Sequence, residues 1–297
     1  MFARSCSRTL ASGRPALRRG LRLAAVQLSV TGDPRDNLSR AARGVSVAAA
    51  EGASIVALPE CFVGSYGVEH FEKWAEVLGA FGGSAMMSAA AKDAGIYVCG
   101  GVIEADEDSQ RMYNTIVVYG PSGQLAAKYR KVHLSRVMGI TSEADVLAPG
   151  EGPISLTCTD VLGEGEPIRT GLASCFDLRF PQFLAAYGPR SDATFEQADV
   201  LIAPSAFLDA TGRDHWELLV RRAALDCQCF VLAPNVAFRE DDAVPLHGRT
   251  MIAGPWGDVL ASCQAEGDGI VVAEASREWL NEVRVNLPLA TAARWPL

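Results

Sequence analysis

Three residues spaced widely along the chain carry side chains suited to one reaction. Cys175 follows the run Thr170-Gly171-Leu172-Ala173-Ser174 and precedes the turn-prone Asp177-Leu178-Arg179-Phe180-Pro181, a placement that lifts a thiol to the rim of a sheet. Two other strand-like runs end on ionisable groups, Ile55-Val56-Ala57-Leu58-Pro59-Glu60 and Leu125-Ala126-Ala127-Lys128-Tyr129-Arg130-Lys131. A thiol attacks a carbonyl or nitrile carbon only as thiolate, so it needs a nearby base or a positive field. Glu60 is read as the base and Lys131 as the field. The Lys131 ammonium and the backbone N–H of Phe176 would supply two oxyanion donors, and losing one such donor costs on the order of 100-fold to 1000-fold in turnover. One carboxyl can protonate a leaving amine and then deprotonate the water that resolves a thioester. Glu60, its backbone fixed by Pro59, is read as that shuttle. This is the inventory of a cysteine hydrolase without a catalytic histidine.

Placing these groups requires sheets whose strands end together. The chain alternates β-branched or apolar runs with amphipathic segments, the pattern of an α/β protein. Strands are expected at 22–30, 54–58, 96–103, 113–119 and 124–131, then at 154–159, 168–174, 199–203, 229–237, 247–253, 258–263 and 269–274. Helices are expected at 36–51, 69–79, 84–94, 180–188, 214–228 and 276–284. Each half runs strand, helix, strand, helix, strand and then hairpins, with turns at Gly120-Pro121-Ser122-Gly123 and Gly254-Pro255-Trp256-Gly257-Asp258 in matching places. The loop Leu147-Ala148-Pro149-Gly150-Glu151-Gly152-Pro153 is too short to free two domains, so one domain with internal pseudo-symmetry is expected. The polar, aperiodic stretch from Gly188 to Gln197 reads as a surface insertion.

Composition narrows the partners. With 297 residues and 49% hydrophobic content the chain can bury a large core, and no apolar run approaches the roughly 18 residues that span a bilayer. Residues 1–21 hold Arg4, Arg8, Arg14, Arg18 and Arg19 among Ser and Ala, and no acid precedes Asp33. This pattern reads as a mitochondrial presequence, the alternative being a cytoplasmic extension. Without the five arginines of the first 20 residues the formal charge goes from −8 to −13, which argues against nucleic acid or a membrane surface as partner. The eight cysteines have no metal-type spacing, and most should be small buried hydrophobes. No metal or cofactor is expected.

Leu58-Pro59-Glu60, Tyr129-Arg130-Lys131-Val132-His133-Leu134 and Ser174-Cys175-Phe176-Asp177-Leu178-Arg179-Phe180-Pro181, in that order, resemble the Glu-Lys-Cys signature of the nitrilase superfamily of carbon–nitrogen hydrolases. Further similarity runs through Ala24-Ala25-Val26-Gln27, Tyr113-Asn114-Thr115, His215-Trp216-Glu217-Leu218-Leu219 and Gly254-Pro255-Trp256-Gly257. The resemblance implies a four-layer α-β-β-α sandwich of two mixed sheets with pseudo-twofold symmetry, formed by residues 22–297. It also implies Glu60 as general base, Lys131 on the oxyanion, Cys175 as nucleophile, and a second glutamate, mapping to Glu143, that positions the lysine. A homodimer or larger homo-oligomer is implied too. Ser65-Tyr66-Gly67-Val68-Glu69-His70-Phe71 and Trp74-Ala75-Glu76 are similar to the omega-amidase branch, which removes ammonia from alpha-ketoglutaramate and alpha-ketosuccinamate. The branch that hydrolyses deaminated glutathione shares much of the rest.

The expected substrate is thus a small amide. Alternative readings are nitrile hydrolysis by the same trio and a non-catalytic binding or scaffold role. Relatives follow His-Leu with an aromatic and an acid, whereas this chain has Ser135-Arg136. Arg136 is read either as a mouth residue favouring an anionic acyl group or as a solvated arginine. Tyr66 is read either as a hydroxyl in the substrate pocket or as a core or interface residue. Asp177 and Arg179 are expected to hold the turn after Cys175 rather than touch substrate. His133 is expected to bond backbone locally, and His215 is given no catalytic role. Cys61 is expected to be turned from the pocket by strand alternation.

Overall fold

A computed structural model of the chain describes residues 21–136, 142–159, 167–189, 196–240, 242 and 244–292. The Arg-rich segment read as a presequence, apart from Leu21, and positions 190–195 of the insertion lie outside the described residues. One sheet contains β1 (Leu21–Gln27), β2 (Ile55–Ala57), β3 (Tyr97–Asp106), β4 (Arg111–Tyr119) and β5 (Leu125–Arg130). The other contains β6 (Ile154–Cys158), β7 (Ile168–Leu172), β8 (Val200–Ile202), β9 (Phe230–Ala233), β10 (Met251–Ala253) and β11 (Val259–Ser262). The last strand, β12 (Gly269–Ala275), returns to the first sheet. The strand orders are β12-β1-β2-β3-β4-β5 and β11-β10-β9-β8-β7-β6.

The two sheets repeat one plan. In each, three parallel strands (β1, β2, β3 or β7, β8, β9) are extended by an antiparallel hairpin (β4–β5 or β10–β11), and each hairpin carries a register shift at the same place, Val118/Tyr119 and Ile252/Ala253. The turns match as well: Gly123 N–H donates to Gly120 O and Gly257 N–H to Gly254 O, both at 2.8 Å. Each sheet is completed by the strand that follows the other unit's hairpin, since β6 pairs with β7 and β12 with β1. This exchange ties the halves into one body with pseudo-twofold symmetry.

Strand alternation sorts the core into layers. On β1 and β2, Leu23, Ala25, Ile55 and Ala57 face the second sheet. Ala24, Val26, Val56 and Leu58 pack with Ala41, Val45 and Met87 under helices α1 (Pro34–Ala50) and, after the short α2 (Val68–Trp74), α3 (Gly82–Ala94). Both faces are buried, as in sheets with parallel strands covered by helices. The second sheet is covered by α4 (Pro181–Leu184) and α5 (Asp209–Cys227), whose Trp216, Val220, Ala223 and Ala224 are fully buried. Helices α6 (Arg277–Asn286) and α7 (Leu289–Ala292) follow β12. The architecture is the four-layer α-β-β-α sandwich.

Local differences from the expected elements have identifiable causes. The helix expected at 69–79 stops at Trp74, because Glu76 joins the first sheet through Ile103 O and its carboxylate accepts from Gly83 N–H and Ser84 N–H at 2.7 Å. That carboxylate caps α3 at its positive end. The strand expected at 247–253 begins at Met251, because Gly248 and Arg249 adopt φ of +67° and +55°. The strand expected at 229–237 ends before Pro234, which has no N–H to give. The helix expected at 180–188 is α4 followed by a 3-10 turn over Ala185–Tyr187.

Candidate active site

Glu60 and Cys175 each lie three residues beyond a parallel strand, β2 and β7, and Lys131 is the first residue after β5. The approach of the Glu60 segment to β3 depends on Gly101. A Cβ there would meet Glu60 Cα at 2.8 Å, and its N–H donates to Pro59 O at 3.1 Å. The backbone of Lys131 is held from both sides, its N–H donating to Asn114 O at 2.8 Å and its O accepting from Gly150 N–H at 2.9 Å. Gly150 can come this close only without a side chain, since a Cβ would run into Arg130 O. Cys175 starts a 3-10 helix over Cys175–Arg179 with φ of +45°. A non-glycine residue at positive φ stores strain that functional sites often carry.

Asp177 pins this turn. Its Oδ2 accepts from Ser174 N–H at 2.8 Å and Tyr129 O–H at 2.6 Å, and its Oδ1 accepts from His133 N–H at 3.0 Å and lies 2.7 Å from His133 Nδ1. The expectation that Asp177 shapes the turn holds. His133, in contrast, bonds this carboxylate rather than backbone alone, and its ring stacks on Phe180 at 3.7 Å. One buried carboxylate thereby ties the end of β5, next to Lys131, to the segment bearing Cys175.

The cluster itself is dry. Glu60 and Lys131 are 0% exposed and Glu143 is 1% exposed. Lys131 Nζ lies 2.8 Å from Glu60 Oε1 and 2.8 Å from Glu143 Oε2. Glu143 also accepts from Ser135 N–H at 2.7 Å, and its contact with Tyr66 O–H is a long 3.5 Å. Burial alone would pull the Lys131 ammonium toward neutrality, but Glu143 and Glu60 outweigh it and hold the lysine well above its usual range. Burial likewise opposes ionisation of Glu143, and Lys131 overcomes it, leaving that carboxyl below its usual range. Two of the three ammonium hydrogens are spoken for by carboxylates, and one is left to aim elsewhere.

Glu60 Oε2 accepts the Ala206 N–H at 2.7 Å, and Ala206 lines the same cavity as Cys175. Burial, followed by Glu60, pushes the Cys175 thiol well above its ordinary range, with Lys131 opposing. Burial thus favours the thiol over the thiolate, so attack would need a base, for which Glu60 is the candidate. The N–H groups on either side of Phe176 are engaged, Cys175 with Pro204 O and Asp177 with Ser174 O. That of Phe176 lies in the first turn, where helical donors lack internal acceptors.

Above the sulfur is a cavity of about 400 Å³ lined by Tyr66, Ser135, Arg136, Cys175, Phe176, Arg179 and the segment from Ala206 to Leu208, with Thr211. Tyr66 and Arg136 thus both reach the cavity. Arg179 does too. In a 3-10 helix residues i and i+3 eclipse, so Phe176 and Arg179 share the cavity side. Cys61 does not line this cavity, but strand alternation is not the reason. It has left the extended conformation at φ of +52° and borders a smaller void on the far side of Tyr66. His215 Nδ1 lies 3.2 Å from Arg179 Nη1.

Over residues 22–285 the chain matches the family described as Carbon-nitrogen hydrolase. The chain belongs to the carbon–nitrogen hydrolase family. Within it, the sequence is 34% identical to a Xenopus tropicalis protein named omega-amidase NIT2 over 93% of this chain and 96% of that one. It is 36% identical to the human protein of the same name over 90% and 93%. The fold matches the crystal structure of Saccharomyces cerevisiae Nit3, a member of branch 10 of the nitrilase superfamily, with TM-score 0.81, 30% identity, and coverage of 96% of this chain and all of that one. The protein is accordingly a cysteine-dependent enzyme of carbon–nitrogen bond hydrolysis.

Three members of this hydrolase site were not singled out by sequence reasoning. Asn114, on β4, donates through Nδ2 to Glu60 Oε1 at 2.7 Å and Glu143 Oε1 at 3.0 Å, bridging the two carboxylates. Ser174 O–H donates to Glu60 Oε1 at 3.1 Å, and Ala206 contributes its backbone N–H. Only Asn114 left a signal, since asparagine is depleted from strands and here sits between Tyr113 and the β-branched Thr115-Ile116-Val117-Val118.

Proposed function

We propose that the enzyme hydrolyses the side-chain amide of a small 2-oxo acid, of the alpha-ketoglutaramate or alpha-ketosuccinamate type, through a thioester on Cys175. Glu60 takes the Sγ proton as sulfur adds to the amide carbon, and the oxyanion is met by the remaining Lys131 N–H and the Phe176 N–H. The C–N bond then breaks as Glu60 returns the proton to nitrogen, releasing ammonia. Water adds to the thioester with Glu60 as base, the C–S bond breaks, and the proton goes back to sulfur. Glu143 acts through Lys131, holding its Nζ in line.

The observation that carries the substrate class is Arg179. Among the described residues it has no carboxylate partner; its guanidinium reaches Thr211 Oγ1 at 3.3 Å and lies over the Phe207 ring at 5.0 Å. Burial lowers its pKa, which marks a charge held at some cost without a counter-ion. A substrate carboxylate would supply that counter-ion in bidentate fashion, with Thr211 as second donor. The omega-amidase names of the relatives support the same class. The test is ammonia release by purified enzyme from alpha-ketoglutaramate, alpha-ketosuccinamate, deaminated glutathione, uncarboxylated amides and simple nitriles. Carboxylated 2-oxo amides should rank first, and Arg179→Met should erase that rank. Faster turnover of nitriles or uncharged amides would overturn the proposal.

Two further proposals accompany this one. Residues 1–21 direct import into mitochondria, which fluorescence of a fused reporter with and without them tests. The enzyme also works as a homodimer or larger homo-oligomer, which light scattering of the purified protein tests.

A further inference from the structure

The hydrogen bonds to the Glu60 carboxylate are unevenly shared. Oε1 accepts from Asn114 Nδ2 at 2.7 Å, Lys131 Nζ at 2.8 Å and Ser174 O–H at 3.1 Å, whereas Oε2 accepts, among the described residues, only from the Ala206 N–H at 2.7 Å. A carboxylate oxygen has two lone pairs. The donors crowded on Oε1 leave it no site for a proton, and the single donor on Oε2 leaves one free. Placement points the same way. Asn114, Lys131 and Ser174 do not line the cavity above the sulfur, whereas Ala206 lines it together with Cys175.

Asn114 is the donor that packing alone does not explain. It is 1% exposed on β4, an internal strand, and its Oδ1 has no hydrogen-bond partner among the described residues. A buried carbonyl oxygen without a partner is destabilising. Turning the amide over would set that oxygen against two carboxylates, because Nδ2 also donates to Glu143 Oε1 at 3.0 Å. The side chain is thus held in one orientation. Its backbone is fixed as well, pairing with Ile103 on β3 and accepting the Lys131 N–H at 2.8 Å. One strand residue therefore sets both where the Lys131 side chain starts and how the Glu60 carboxylate is rotated.

We propose that Oε2 is the oxygen of Glu60 that carries the proton, and that Asn114 is the positioning residue that keeps it so by anchoring Oε1. This rests on the Glu60 shuttle of the amidase reading and adds which atom moves the proton. As sulfur adds to the amide carbon, the Sγ–H bond breaks and an Oε2–H bond forms. As the C–N bond breaks, that proton passes to nitrogen and Oε2 regains its lone pair. Ser174 O–H supports the same rotation through a longer bond.

The experiment measures kcat and KM of the full chain, Asn114→Leu and Asn114→Asp on the amide that the native enzyme turns over fastest, between about pH 5.5 and about pH 8.5. Leucine keeps the volume and removes the donor. Its kcat should fall on the order of 10-fold to 100-fold, the range for a hydrogen bond to a charged group, with KM within roughly twofold because Asn114 does not line the cavity. Aspartate keeps the shape but sets a charge against Glu60 and Glu143, and together with burial these outweigh Lys131, which they already share, so it protonates more readily than an ordinary aspartate. Once protonated it donates O–H to Oε1. The kcat of Asn114→Asp relative to native should therefore recover by about tenfold as pH falls, while the Asn114→Leu ratio stays flat. Native kcat in Asn114→Leu, or an Asn114→Asp deficit that does not shrink as pH falls, overturns this inference alone. Where Asn114→Leu does not fold, the Asn114→Asp series decides. No turnover of any amide by the native chain overturns the amidase reading and this inference with it.

Discussion

Replacing Glu143 by glutamine probes the cluster without changing its volume. The carboxylate accepts from Lys131 Nζ, Ser135 N–H, Asn114 Nδ2 and, at longer range, Tyr66 O–H. Glutamine offers one oxygen, so its amide N–H₂ must face either Ser135 N–H and Lys131 on one side or Asn114 and Lys131 on the other. A buried donor set against a donor costs about 1–3 kcal/mol, and removing one partner of a buried ion pair costs about 3–5 kcal/mol. These overlap rather than add. Lys131 also keeps Glu60 at 2.8 Å, and the repulsion between the two carboxylates is relieved. The lower figure, about 3 kcal/mol, therefore applies. At roughly 2–4 °C per kcal/mol, the thermal midpoint should fall by roughly 6–12 °C.

The pH dependence separates this charge effect from a general loosening. Lys131 has a raised pKa, so its stabilising contribution is complete below the ordinary lysine range and is lost as pH rises through the folded value. Glu143 has a lowered pKa, so its contribution is present above the ordinary carboxylate range and is lost as pH falls through the folded value. Both contributions are present at neutral pH, where the variant should differ most in stability. Without Glu143 the lysine pKa drops, so the alkaline limb of kcat/KM moves to lower pH, while turnover falls on the order of 100-fold through the misplaced oxyanion donor. Differential scanning calorimetry and a pH–rate profile read both effects. A midpoint within about 1 °C of the native enzyme, together with an unmoved alkaline limb, would refute the pairing.

Three more outcomes follow from the geometry. Because Cys175 sits at φ of +45°, Cys175→Gly should be more stable than Cys175→Ala by about 1 kcal/mol, the reverse of the usual order; chemical denaturation measures it, and the ordinary order would show the turn is relaxed. Since burial and Glu60 raise the Cys175 thiol, alkylation by iodoacetamide at pH 7 should be slower than for a free cysteine and should accelerate through the alkaline range; a fast, pH-independent rate would mean a resting thiolate. Asp177→Ala strips partners from Ser174 N–H, Tyr129 O–H and His133 N–H at about 1–3 kcal/mol each, and should lower the unfolding midpoint more than Glu143→Gln does. An equal or smaller shift would show that the turn does not depend on it.

The candidate catalytic residues were legible because the proposed reaction limits their types and because strand ends place them. The twelve strands among the described residues and both matched hairpin turns could be located from periodicity and glycine placement. What escaped acts across large separations. Asn114 reaches Glu60 over 54 positions, Ser174 over 114 and the Ala206 N–H over 146, and no local pattern encodes such contacts. That Arg179 lines the cavity escaped for a different reason. The expected helix began at residue 180, so no helical period was applied to Cys175–Arg179, where the 3-10 repeat puts Phe176 and Arg179 on the cavity side. Cys61 shows the converse, a thiol kept out of the cavity by a left-handed turn rather than by the alternation expected of a strand.

The central claim is that amide hydrolysis passes through a thioester on Cys175. Its most direct test is peptide-mapped mass spectrometry of enzyme acid-quenched during turnover of alpha-ketoglutaramate. One added acyl group is expected on the peptide bearing Cys175, and none in Cys175→Ala. An unmodified Cys175 in a rapidly turning-over enzyme, or an acyl group on another cysteine, would contradict it.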